Sequence, residues 1–172
     1  ELIRLLKGRG IGVTAIMTKA AEQFVTPLSV ASLSGNKVYN DLFSLTDEIE
    51  MGHIELSRST DLIVVAPATA DLIAKMANGL ADDLASTTLL ATDKKVLIAP
   101  AMNLRMWQHA ATRRNVAQVA RDGVAIIGPN DGEMACGEFG PGRMAEPSEI
   151  VAAIAAQFSA PARPLQGRKV LI

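Results

Sequence analysis

The stretch Val96-Leu-Ile-Ala-Pro-Ala-Met-Asn103-Leu-Arg-Met-Trp107 decides how the rest of the chain is read. Val96 to Ala99 is a short apolar run after the charged Asp93-Lys94-Lys95. Apolar residues at every position, not at alternate ones, mark a strand buried on both faces, as in parallel sheets. Pro100 has no N–H to donate and is expected to end the ladder. The residues after it then sit at the carboxyl end of a strand, where open α/β sheets place their ligands. There the sequence puts an amide (Asn103), two thioethers (Met102, Met106) and its single tryptophan. Two readings fit these residues alone: a ligand-binding loop, or a loop whose Met and Trp side chains cover the sheet.

Upstream, Asp61-Leu-Ile-Val-Val-Ala-Pro67 repeats the pattern of a buried strand closed by proline. Its carboxyl-end loop, Ala68-Thr-Ala-Asp71, is built of small residues that would let a flat ligand approach the backbone. A helix is expected from Asp71 to Asn78, broken at Gly79 and resuming through Asp82-Asp83 to Leu90. Neighbours on a helix diverge by about 100°, so these aspartates read as a polar face and no metal site is expected. Downstream, Thr112 to Arg121 is an amphipathic helix with Val116, Val119 and Ala120 inward, and Val124 to Ile127 is a further strand. His109 reads as structural or exposed.

At the start, Glu1 to Lys7 has helical spacing and stops at Gly8 and Gly10, ahead of a strand over Gly12 to Met17. A domain that opens in this way implies an earlier strand and phosphate-presenting loop before Glu1. Thr18 is placed either to bond a ligand or to cap the next helix. Pro27 to Leu33 is a short helix, and Met51 to Ser57 a helix start with His53 in its first turn. That histidine is either a surface group or, because it titrates near pKa ~6.5, a proton carrier. Strands alternating with helices predict one α/β domain over residues 1–158: a three-layer, Rossmann-like fold with a parallel sheet and helices on both faces.

The segment Asp131 to Pro147, with glycine at 132, 137, 140 and 142, suits no regular element and is expected to form a mobile flap. Cys136 lies inside it, outside any apolar run. A thiol so placed suits a proton donor or nucleophile delivered to a site better than a core residue. Ser148 to Phe158 reads as a closing helix and 159–166 as a linker. Residues 167–172 read as the first strand of another domain.

Composition sets the outer limits. The chain has 172 residues, 49% hydrophobic and 20% charged, with a formal net charge of −1. No basic surplus is present to hold phosphate backbones, and aromatics are only 3%, so nucleic acid is not an expected partner. No apolar run reaches the ~18 residues that span a bilayer. A single cysteine forms no internal disulfide, which favours an intracellular, cytoplasmic protein.

Taken together, Ile16-Met-Thr18, Phe24-Val-Thr-Pro27, Gly52-His53, Ala66-Pro-Ala-Thr-Ala-Asp-Leu-Ile-Ala-Lys75, Pro100-Ala-Met-Asn103, Ala135-Cys-Gly137 and Gly140-Pro-Gly-Arg-Met144 resemble the homo-oligomeric flavin-containing cysteine decarboxylases. The resemblance is to the branch that forms one half of bacterial bifunctional coenzyme A biosynthesis flavoproteins, and Gln166 to Ile172 is similar to the start of the ligase half. It implies FMN-dependent decarboxylation of 4'-phospho-N-pantothenoylcysteine to 4'-phosphopantetheine. An alkyl thiol offers no electron sink; oxidation to a thioaldehyde lets carbon dioxide leave as an enethiolate forms, and the hydride is then returned. By the same resemblance His53 is the acid/base, Asn103 holds the carboxylate or amide of the substrate, and Cys136 protonates the enethiolate. Thr18, Thr69, Ala70, Asp71 and Ala101 match FMN-contacting loops, while Met102, Ala135 and Gly137 join Asn103 against the substrate. Trimers or dodecamers are implied. A peptidyl-cysteine decarboxylase and a non-catalytic regulatory FMN-binding protein of the halotolerance type are the alternatives, and the presence of His53, Asn103 and Cys136 together favours an enzyme.

Overall fold

The structure, a computed structural model, describes residues 1–42, 53–134 and 137–158, with His53 and Ile54 described by backbone alone. At its centre is β4 (Lys95–Pro100), parallel to β3 (Leu62–Ala68) on one side and to β5 (Ala125–Ile126) on the other. Val96 through Pro100 are all buried, as a strand covered on both faces must be. Alternate residues serve opposite layers. Leu97 and Ala99 pack with Leu6 of α1 (Leu2–Lys7) and with Ile150, Val151 and Ile154 of α8 (Pro147–Phe158). Val96 and Ile98 pack with Ile73 of α4 (Ala70–Asn78) and Val119 of α7 (Ala110–Arg121). The expected parallel sheet with helices on both faces is therefore present.

A second parallel ladder joins β1 (Ala15–Ile16) to β2 (Val38–Tyr39), with the 3₁₀ helix Ala21–Gln23 and α2 (Pro27–Ser34) between them. β1 is shorter than the predicted Gly12 to Met17. The Asn36 side-chain amide donates to the Val13 carbonyl at 2.8 Å, so a side chain takes the place of a ladder partner there. α2 begins at the N-cap Thr26 and stops at Gly35, whose φ of 75° few other residues adopt. α3 (His53–Arg58) comes next, and its predicted first two residues, Met51 and Gly52, lie outside the described residues.

Four expectations need correction. Pro100 does end β4, but Pro67 does not end β3: that ladder runs through Pro67 to Ala68, which pairs with Pro100 after a register shift from Val65. The Ala101 N–H donates to the Ala68 carbonyl at 3.1 Å, adding one bond to β3 just past the end of β4. Asp82 and Asp83 are not on a helix face, because they precede α5 (Leu84–Ala91), for which Asp83 is the N-cap. Ala120 is exposed, and the inward face of α7 is Thr112, Val116 and Val119. Finally, the glycine-rich segment is not irregular. β6 (Asn130–Glu133) and β7 (Phe139–Arg143) form an antiparallel hairpin with Gly132 opposite Gly140. Ala135 and Cys136, and the linker and final strand expected over 159–172, lie outside the described residues.

Candidate functional site

The carboxyl ends of β3 and β4 lie side by side, and each hands over at once to a helix. After β3 the handover is a single residue. Thr69 caps α4, its Oγ1 accepting the Leu72 N–H at 3.2 Å, so Ala70 and Asp71 already belong to the first turn. Thr69 is exposed, and its hydroxyl proton remains available to donate outward. After β4 the loop Ala101–Asn103 leads into α6 (Leu104–Gln108), which Asn103 caps. Asn103 Oδ1 accepts the Met106 N–H at 2.8 Å. That bond fixes the amide by its oxygen and leaves its NH₂ to act as a donor at an exposed position. Met102 is half-buried against the Val96–Ile98 face of the sheet.

The hairpin closes onto this loop. The Met102 N–H donates to the Gly142 carbonyl at 3.0 Å, and Gly140 of β7 faces Leu104 of α6. At the hairpin turn the Met134 N–H donates to the Glu138 carbonyl at 2.9 Å and the Gly137 N–H to the Met134 carbonyl at 2.8 Å. Glu138 lies 4.0 Å from Arg105 on α6. Thus Thr69, Ala70 and Asp71, the loop Ala101 to Asn103, and the turn residues Met134 and Gly137 meet at one end of the sheet. Thr18 belongs to the other ladder, where its Oγ1 accepts the Ala21 N–H at 3.2 Å. His53 opens α3, and its side chain lies outside the description, as does Cys136. His109 is structural: its Nδ1 accepts the Ala111 N–H at 3.2 Å and caps α7.

The residues at this end suit a flat, polar ring. Alanine at 70 and 101 leaves backbone uncovered, Thr69 can donate, and the N-terminus of α4 faces the same edge. Among the described residues no group of His, Cys, Asp or Glu could hold a metal ion, and no helix is long and apolar enough to cross a membrane.

One cluster escaped the sequence reading. Lys75 on α4 reaches Asp82 at 2.9 Å, Asp83 at 3.1 Å and Asp71 at 3.5 Å. Hydrogen bonds to Asp82 and then Asp83 push its pKa upward. The same lysine holds the Asp82 carboxyl below its ordinary range. Burial would raise the Asp83 pKa, but hydrogen bonds from the Ser86 N–H and hydroxyl and from Lys75 outweigh it and the net direction is down. The available signal was Gly79, whose φ of 65° turns the chain back so that 82–83 meet α4. A second omission is Glu149, which accepts the Glu146 N–H and the Asn130 side-chain amide, both at 2.7 Å, tying the start of α8 to β6.

A model of the flavoprotein family matches residues 1–159. The chain is 50% identical over 172 residues to the coenzyme A biosynthesis bifunctional protein CoaBC of Vibrio vulnificus, and 47% identical to that of Escherichia coli. Each match covers 100% of this chain and 42% of the relative, so the chain spans less than half the length of these proteins. Among solved structures, a cysteine-to-serine mutant of PPC decarboxylase complexed with pantothenoylaminoethenethiol is 31% identical, with a TM-score of 0.78 over 92% of this chain and 89% of that one. The FMN-binding protein AtHal3 is also 31% identical, with a TM-score of 0.77 over 94% and 89%.

Proposed function

We propose, from the premise that this chain belongs to the flavoprotein family, that it carries out the FMN-dependent decarboxylation of 4'-phospho-N-pantothenoylcysteine to 4'-phosphopantetheine. The observation that carries this reading is the convergence at one sheet end of Thr69 to Asp71, Ala101 to Asn103 and the hairpin bonded to Met102. The curated relatives are bifunctional coenzyme A biosynthesis proteins, and a ligase region beyond this domain, opening at 167–172 after a linker, is part of the proposal.

FMN, when bound, supplies a reversible hydride acceptor, the electron sink that an alkyl thiol lacks. The remaining tasks fall to the chain's own residues. Thr18, Thr69, Ala70, Asp71 and Ala101 hold the cofactor, the alanines by leaving room and Thr69 by its free hydroxyl proton. Asn103 accepts the Met106 N–H through its oxygen, which orients its NH₂ to donate to the substrate carboxylate or amide. A neutral donor orients that group without neutralising the charge that has to leave. His53 moves the proton of the oxidative half, imidazole being the commonest general acid and base. Cys136 gives a proton to the enethiolate carbon, with Met102, Ala135 and Gly137 beside the substrate. The ligand named with the cysteine-to-serine relative, pantothenoylaminoethenethiol, is by its name a decarboxylated and still oxidised species, which supports an enethiol step in this reading.

A homo-oligomer, trimer or dodecamer, is part of the proposal. Phe24 and Leu28, 92% and 77% exposed after Thr18, give it an apolar surface to bury. The test is to incubate the full-length protein with phosphopantothenoylcysteine and follow flavin absorbance, carbon dioxide and product mass together. Phosphopantetheine with released carbon dioxide is the expected result. Bound flavin with no turnover would replace this reading by a regulatory or peptide-directed one.

A further inference from the structure

Gly140 and Gly142 stand two residues apart on β7, so they share one strand face, and that face lies against the Ala101–Leu104 segment. The two contacts differ in kind. A Cβ at Gly140 would come within 3.0 Å of Leu104 Cδ1, the free end of a side chain that can turn aside. A Cβ at Gly142 would overlap the Met102 carbonyl oxygen, which is backbone, and would lie 3.0 Å from Met134 Sδ. The Gly142 carbonyl also accepts the Met102 N–H, so the two main chains touch through both peptide groups of Met102. Met102 precedes Asn103, and Met134 leads into the hairpin turn. One residue without a side chain therefore sits between the loop that carries Asn103 and the turn of the hairpin.

We infer that Gly142 is a positioning residue for the decarboxylation: its bare backbone contact with Met102 and Met134 sets the spacing between the hairpin turn and Asn103. The inference rests on the function proposed above and adds to it the element that aligns its two substrate-facing segments. A methyl group at 142 has to lift β7 off the loop. A displacement near 1 Å costs on the order of a hundredfold in a step that needs two aligned groups. Oxidation and loss of carbon dioxide depend on FMN, His53 and Asn103, whereas the final protonation needs the turn at its proper height. Gly142→Ala should therefore raise the fraction of product released as the oxidised enethiol, read in a single turnover because each such release leaves its two electrons on the flavin.

The experiment uses the full-length protein and its Gly142→Ala variant. Three readouts are taken: carbon dioxide against phosphopantetheine formed, FMN affinity of the apoprotein by flavin fluorescence, and hydrogen exchange at the Met102 amide. A raised enethiol fraction and a faster-exchanging Met102 amide, with FMN affinity unchanged, are expected. Equal loss of both products, or a proportionate loss of FMN affinity, would overturn the inference and leave Gly142 a structural residue. If Gly142→Ala does not fold, Met134→Ala decides, since it removes the thioether from the same contact without adding an atom. A raised enethiol fraction in that variant supports the inference and an unchanged one overturns it. Absence of carbon dioxide from the unsubstituted protein would instead overturn the decarboxylase reading, and the role of Gly142 in it, while Met102 exchange still reports whether the hairpin is docked.

Discussion

Lys75 gathers carboxylates from two segments, Asp71 one turn earlier on its own helix and Asp82–Asp83 beyond the turn at Gly79. Its side chain is 17% exposed, while those of Asp71 and Asp82 are 78% and 67% exposed, so solvent screens much of the attraction. Lys75→Met is expected to cost about 1 kcal/mol, the upper end for exposed ion pairs. The pH dependence has two edges. Asp82 and Asp83 titrate below their ordinary value when folded, so their contribution is complete above the unfolded carboxylate pKa of about 3.9 and is lost as the pH falls through the lower folded values. The Lys75 pKa is raised, so its contribution is complete below about 10.4 and is lost only in stronger base. Chemical denaturation of the wild type and of Lys75→Met should thus differ by a constant amount between about pH 5 and 10 and converge in acid. A difference that persists unchanged at pH 2 would show that Lys75 acts through packing of its methylenes instead.

At the scale of elements, legibility followed the source of the order. β3, β4, α2, α4, α7 and α8 were readable because each carries its own signal: an apolar run, a capping residue, or a glycine stop such as Gly35 and Gly79. The same residues made Asn103 legible as a site candidate, although its cap of α6 was not foreseen. The hairpin was misread because its strands have no apolar alternation. Its order comes from contacts distant in sequence, between Gly142 and Met102 and between Gly140 and Leu104. Burial gives the element-scale prediction. Ile98 is 0% exposed between Ile73 and Val119, whereas Leu28 is 77% exposed. Ile98→Ala is expected to lose about 3 kcal/mol from the transfer term and the residual cavity. Leu28→Ala should stay within about 0.5 kcal/mol as a surface substitution in dissociated subunits, and cost more where the proposed oligomer covers it. Equal losses at the two positions in urea unfolding would mean that Leu28 is covered in the assembled protein.

For the whole molecule, the groups assigned to FMN matter by their dispersion. Thr18 follows β1, Thr69 to Asp71 follow β3, and Ala101 follows β4, so a ligand that touches all of them needs three separate segments to be folded at once. A ligand held by all of them binds the folded state and not the unfolded chain, and it must stabilise the fold by mass action. With free FMN at a hundred times its dissociation constant the gain is about 2.7 kcal/mol, or roughly a hundredfold in the unfolding equilibrium. The amides of β4 report this best. Buried at the centre of the sheet, they are expected to exchange only through the deepest openings of this domain, and each amide is followed site by site. Saturating FMN should slow their exchange by about a hundredfold. Cys136→Ser should show the same slowing, because residue 136 is not among the residues assigned to the cofactor. Ala101→Leu should abolish it, because a larger side chain fills the space that alanine leaves at the end of β4. If FMN leaves β4 exchange unchanged in the unsubstituted protein, these loops do not form a flavin site in the folded domain. If Cys136→Ser loses the effect while Ala101→Leu keeps it, the cofactor lies against the hairpin and not along the strand ends.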